Sequence, residues 1–320
     1  MTRKLSAPPL LIGLGAGAAS ALLFAALVGG TMLALPLFLL APLPIGIAAL
    51  GWGTTAGLVA GATATAAIAL GVGWHAGASL LLADVVPTLL AAHLLGLARF
   101  ADANDPASRE WYPLGRVLLM LAVAVMVTTV IGGIAIGFDP TETAAQISAA
   151  FRQVTERGAP APGDVVDLGR VDPVLRATVR LMPAFFPASW LAVLVFDLWA
   201  AAKVVAKSGR LARPLDDLAT VELPPAAGLV LAAALATSFV EGSLGLVASV
   251  VAGALFAAHF LVGAGVVHTL ARRSQARIII LAFVWGLVLL FTLPAALVAL
   301  VGLLEPYLGF RRRASSSGPV

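Results

Sequence analysis

The chain has 320 residues, 60% of them hydrophobic and 11% charged, with a mean hydropathy of +1.01 and a formal net charge of +4. That balance excludes a water-soluble globular protein, and the absence of cysteine excludes disulfides, thiol catalysis and cysteine metal sites. The pI near 10.1 comes from Lys and Arg in short loops between apolar runs, where they orient membrane spans, so it does not point to nucleic acid.

A bilayer core of about 30 Å takes about 20 apolar helical residues to cross. Runs of that kind fall at 8–29, 31–50, 52–73, 76–98, 115–137, 183–206, 225–241, 244–270 and 277–304. The expected fold class is therefore all-α: a polytopic transmembrane helical bundle of eight or nine spans, forming one membrane domain over 1–320. Arg3 and Lys4 before an apolar run resemble a signal peptide, but the run is long and more spans follow, so it reads as an uncleaved first span. The second run carries Pro36, Pro42 and Pro44, which predicts a kinked or re-entrant segment. Trp52, Trp74, Trp111, Trp190, Trp199 and Trp285 read as interfacial aromatics.

The positive-inside rule sets the orientation. A cytoplasmic N-terminus puts Arg3, Lys4, Arg99, Arg109, Arg116, Lys203, Lys207, Arg210, Arg213, Arg272, Arg273 and Arg277 inside, the majority of the 20 Lys and Arg. The expected location is a bacterial cytoplasmic (inner) membrane. Arg311-Arg312-Arg313 lies inside with eight spans and outside with nine, and Pro294 is one place where the count can change. Residues 311–320 read as a disordered tail.

Residues 138–182 read as an external loop. Within it Asp139-Pro140-Thr141-Glu142 is a helix start with a cap, a first-turn proline and a capping-box acid, and Gly158 is a stop. Ala144, Ile147, Phe151 and Val154 share a face, so 140–157 is an amphipathic helix lying on the membrane or against the bundle. A connector over 159–169 and a short helix from Asp172-Pro173 toward Pro183 follow.

Small residues recur every four positions at Gly13, Gly17, Ala21, Ala25 and Gly29, and again at Gly53, Gly57 and Gly61. Such stripes let helices approach closely, either within this chain or against a separate membrane protein. Gly13-x-Gly15 is a fragment of a dinucleotide fingerprint, but no strand precedes it.

Ionisable groups inside spans are costly and often functional. Asp84 lies about 12 Å into its span, with Thr88 one turn along on the same face and Pro87 freeing a carbonyl nearby. Asp197 lies about 20 Å into its own, with Lys203 as a snorkelling partner. Asp84, Thr88 and Asp197 are the candidate substrate-binding residues. The spacings of His93, His259 and His268 form no metal site, so no metal or cofactor is expected. No Ser-Lys, paired Asp or His-metal constellation stands at usable spacing, so an enzyme is not expected.

Two stretches carry a family resemblance: LWAAAKVVAKSGRLARPLDDLATVELP at 198–224 and the tail LVGLLEPYLGFRRR, together with EWYPLGR at 110–116. These look like the YybS-like family of predicted bacterial membrane proteins of unknown function, whose N-terminal part is similar to the S components of energy-coupling-factor vitamin transporters. The resemblance implies a first helix that docks a transmembrane partner through its small residues. Two functions compete. One is a small-solute-binding or transport component, with the second span, Asp84 and Pro87 building a site. The other is a non-enzymatic scaffold or envelope assembly factor acting through helix–helix contacts.

Overall fold

The computed structural model describes residues 7–100, 102, 109–157, 168–215, 221–272 and 274–316. The Gly158 stop, the connector through 167, the side chain of Val154, Arg273 and the last four residues lie outside the described residues. What is described is almost entirely helical, and seven helices are long and apolar enough to cross a membrane. A bent pair, counted as one span, makes eight.

The first five spans follow from where chain breakers fall. α1 (Ala7–Ala25) runs through a 3-10 turn to Gly29. The second span is broken into α2 (Ala34–Leu39) and α3 (Pro42–Trp52), because Pro42 and Pro44 donate no backbone hydrogen bonds. Ser20 of α1, wholly buried, donates to Ala41 O at the break, 2.7 Å away. Single glycines turn the chain into the next two helices. Gly53 (φ +90°) precedes α4 (Thr54–Gly71), and Gly73 (φ +144°) precedes α5 (Trp74–Leu80). A side chain is strained at those dihedrals. α5 continues through a π-helical turn (Leu81–Val85) into α6 (Val86–Leu95). A short hairpin follows, β1 (Ala98–Phe100) pairing antiparallel with β2 (Arg109–Trp111), then α7 (Leu114–Ala135).

Within 138–182 the helix expected over 140–157 is present, and the short helix expected from Asp172 is part of a longer one. α8 (Pro140–Arg157) starts on Asp139, whose Oδ1 accepts from the backbone of Thr141 and Glu142 at 2.8 and 2.9 Å. It packs on α9 (Leu168–Lys207), where Ser148 and Arg152 donate to the Asp172 carboxylate at 2.9 and 3.1 Å and Ala144 is buried. α9 is one helix of 40 residues with Pro173, Pro183 and Pro187 inside it. Pro183 was read as a boundary, but a helix wedged between neighbours tolerates the missing donors.

The C-terminal part departs furthest from the nine apolar runs. α10 (Pro225–Thr237) has 13 residues, short of a full crossing, and α11 (Ser243–Ala271) has 29. The last run splits into α12 (Arg277–Leu290) and α13 (Thr292–Leu308), bent by 119°. Pro294 could not continue α12, whereas in the first turn of α13 its missing N–H costs nothing. α14 (Phe310–Ser316) occupies the region read as a disordered tail.

Arg311 ties the last turn to the segment before α10. Its guanidinium donates to Val221 O at 3.0 Å and lies 3.7 Å from Glu222. Val221 lines the same cavity as Leu97, Leu114, Lys203 and Arg213. The Arg311 turn therefore lies near the segments that follow α6 and α9.

Small residues decide how closely helices approach. A Cβ on Gly13 would stand 2.7 Å from Ala56 O and Val59, and one on Gly17 would collide with Ala60 O. Ala21 is buried in the same seam, so this face of α1 lies against α4. Gly57 meets Ala49 and Leu89, and Gly61 meets Val85. Gly29 and Gly53 differ from the stripe reading. Nothing lies within 4 Å of a Cβ at either, and Gly53 serves the turn instead. Ala25, one turn beyond Ala21, is half-buried at the edge of the same cluster.

Two measurements check this packing. Gly17→Leu should overpack the α1–α4 seam, costing about 1–3 kcal/mol and lowering the melting temperature in detergent. An unchanged melting temperature would show that the seam is not formed. Cysteines placed at Lys207 and at Arg313 should be labelled by an impermeant reagent from the same side of the membrane, and opposite-side labelling would restore nine crossings.

Candidate functional site

The fourth span is the irregular one. Pro87 has no N–H to give to Ala83 O, four residues earlier, so that carbonyl is freed inside the protein. The π-helical turn at 81–85 sits on this fault, and π turns inside α-helices recur at functional sites. Trp190 repairs it, its Nε1 donating to Ala83 O at 2.8 Å from α9. Trp190 is thus a buried residue of the bundle and not an interfacial aromatic; it is 7% exposed and stacks on Phe186. The sequence signal was present, because Pro87 announces an orphan acceptor, but nothing in the sequence names its donor.

That hydrogen bond lays α9 along the fourth span. Asp84 (0% exposed) and Asp197 (1% exposed) are both buried on the two elements this bond joins. Thr88, one turn past Asp84, and Ala201, one turn past Asp197, meet over Gly46 of α3. A Cβ on Gly46 would lie 3.2 Å from Ala201 and 3.8 Å from both Thr88 and Leu198. Gly46 admits the two faces to each other. The three residues singled out from the sequence therefore lie on adjoining stretches of the fourth span and α9, within one turn of the contact at Gly46.

None of the three has a polar partner. Both oxygens of Asp84, both of Asp197 and the hydroxyl of Thr88 are buried and make no hydrogen bond. Lys203 does not serve Asp197. It is exposed, with its ammonium 5.7 Å from the centre of the Trp199 ring. A flexible lysine near a helix end gains more from the interface and an aromatic face than from descending to a buried acid.

The other buried acid is treated differently. Glu305 (2% exposed) accepts from Arg311 Nε at 2.9 Å and from the backbone N–H of Phe310 at 3.0 Å. Several half-buried or exposed threonines, Thr128, Thr178, Thr237 and Thr269, return their hydroxyl to the carbonyl four residues back, at 2.8–2.9 Å. Among the described residues the buried side-chain polar groups without a partner are Asp84, Thr88, Asp197 and the hydroxyl of Thr65 on α4.

A cavity of about 560 Å³ lies one turn further along the same helices. It is lined by Ala49 and Leu50 after Gly46, by Ala92 and His93 after Thr88, and by Leu198, Ala202 and Lys203 of α9. The volume is within the range of about 300–1,000 Å³ typical of small-molecule sites. Leu198 lines the cavity and also faces Gly46, so it stands between the cavity and the acids. Among the described residues no group of three or more His, Asp or Glu could hold a metal ion.

No family model, curated protein or solved structure matches the chain. The resemblance to the YybS-like family and to energy-coupling-factor S components thus gains no support beyond the motifs that suggested it.

The Trp190 donor has a measurable role. Trp190→Phe keeps the ring packing but leaves Ala83 O without a partner, a loss of about 1–3 kcal/mol. The variant should melt lower than wild type in detergent, and equal melting would show that the carbonyl is satisfied some other way.

Proposed function

We propose that this chain is a small-solute-binding or transport component of a bacterial inner membrane, with its N-terminus in the cytoplasm and its polar centre at Asp84, Thr88 and Asp197. One observation carries the reading: a solute-sized cavity is lined by residues of α3, α6 and α9, beside two buried carboxylates that have no partner in the protein. Burying an ionised group without a partner costs many kcal/mol, and inside a membrane such groups mark ion and substrate paths. A broken helix presenting polar groups at depth is the common build of transporter sites. In the proposed orientation the cavity, with Lys203 and Arg213 at its rim, faces the cytoplasm.

Two observations weigh against the alternatives. A scaffold working through the first-helix stripe needs that face free, yet Gly13 and Gly17 are pressed against α4. An aspartyl hydrolase needs water and a substrate chain between its carboxyls, and here both acids are closed off from solvent.

The test is Asp84→Asn. Asn keeps the shape and removes the charge, so the variant should fold in wild-type yield with an unchanged or raised melting temperature. It should nonetheless lose growth complementation in a deletion strain, together with any small molecule that wild-type protein retains through gentle detergent extraction, as read by mass spectrometry. Full complementation by Asp84→Asn would remove the transport reading and leave the scaffold reading ahead.

A further inference from the structure

We propose that Asp84, Asp197 and Thr88 form an exchangeable site for a small monovalent cation, a proton or a sodium ion, that couples to solute movement through the adjacent cavity. The coupling role rests on the transport reading above; the cation site itself stands on the geometry alone.

The two acids must be neutralised by something, and the protein offers nothing. Around them α3 and α4 carry no titratable residue, α7 carries only the exposed Arg116, and α5 and α6 carry only the exposed His75 and His93. On α9, Lys203 is stacked on Trp199 at the helix end. On α11, His259 is tied through Nδ1 to Leu255 O and faces Gly228. Among the described residues, no cationic side chain forms an ion pair with either acid. Two like charges held close in a medium of low dielectric repel strongly, and a cation taken from outside reverses that repulsion.

The size of the ligand follows from burial. Asp84, Thr88 and Asp197 are at most 1% exposed and none of them lines the cavity, so an organic solute does not fit between the acids. An atom-sized cation does. No donor in the protein reaches any of the four carboxylate oxygens. Thr88 is the independent sign. Its hydroxyl is wholly buried one turn from Asp84 and has no partner, a state that among the described threonines only Thr65 on α4 shares. A proton needs only the carboxyl oxygens; sodium would take carboxylate oxygens and the Thr88 hydroxyl together.

The experiment uses the purified full chain in detergent, with no solute present. In one arm, sodium chloride replaces choline chloride at constant ionic strength and the melting temperature is followed. In the other, infrared spectra are recorded in H2O and D2O and searched for the carbonyl stretch of a protonated carboxyl. A sodium site gives a rise of a few degrees with sodium and none with choline, abolished in Asp84→Asn and Asp197→Asn and weakened in Thr88→Val. A proton site shows no sodium response but gives a carboxyl band that shifts in D2O and is lost or altered in either Asn variant. The proposal is overturned if neither signal depends on the two acids, or if the band ignores D2O, since a trapped proton is structural. Failure here with loss of complementation in Asp84→Asn would leave the transport reading standing, and a cation signal with full complementation would do the reverse.

Discussion

The hydrogen bond from Trp190 to Ala83 O holds the centre of this molecule in register. Within a bilayer there is no water to take up a freed backbone carbonyl, so each one must be answered by the protein. Pro87 frees one in the fourth span, and the answer comes from another helix. A helix that repairs its own fault stays independent; one that borrows a donor is bound to its neighbour at a fixed depth. Here the neighbour is α9, and the fixed depth is what sets Ala201 opposite Thr88 across Gly46, with an acid one turn away on each side. At the break in the second span the carbonyls left by Pro42 and Pro44, Phe38 O and Leu40 O, accept from the backbone of Ala41 and Leu43, and Ser20 of α1 adds a bond to Ala41 O between them.

Close approach then does the rest of the packing. Lipid tails are as apolar as leucine, so burying side chains yields little drive between helices in a membrane, and contact must come from backbones that can nearly touch. Gly13 and Gly17 let α1 lie on Ala56 and Ala60 of α4, and Gly263 and Gly302 bring α11 and α13 together where a Cβ on Gly302 would collide with His259 O. The buried core is correspondingly rich in alanine, with Ala48, Ala56, Ala60 and Ala64 all fully enclosed. Such seams are rigid, so a site clamped between them keeps its geometry while α2, α3 and the π turn retain the irregular backbone that a transport element uses.

How much of this could be read from the residues depends on whether the signal was local. The spans were legible because crossing a bilayer needs a long apolar run. The Asp84–Thr88 pairing was legible because positions four apart share a helix face. Partners across helices were not. Nothing in the sequence around Asp197 says that it faces Asp84, and its one visible neighbour of opposite charge, Lys203, is drawn to Trp199 instead. The paired-acid arrangement was invisible because it is assembled from two distant spans. Prolines were an uneven guide: Pro183 looks like a boundary and is not, whereas Pro294 marks the place where the last apolar run breaks, at Phe291 just ahead of it. The C-terminal turn looked like a tail because arginines read as solvated, and only the structure shows Arg311 reaching Glu305 and Val221.

The contrast between Glu305 and the two aspartates is what turns a packing description into a functional one. A chain that buries three carboxylates could be tolerating all of them as defects. Glu305 argues otherwise, since the fold closes a helix with Gly309 at φ +59° and turns back Phe310 and Arg311 so that this acid is fully met. The means to satisfy a buried acid exist in this sequence and are spent at the end of the bundle. At its centre, with Trp190 supplying a donor to a carbonyl only a residue away, no donor is supplied to Asp84 or to Asp197. A donor there would stabilise the fold, and it would also fill the position that an incoming cation takes. Leaving the acids open lowers stability in the empty state and creates differential affinity for the occupied one, which is the only means by which a ligand can shift a conformational equilibrium.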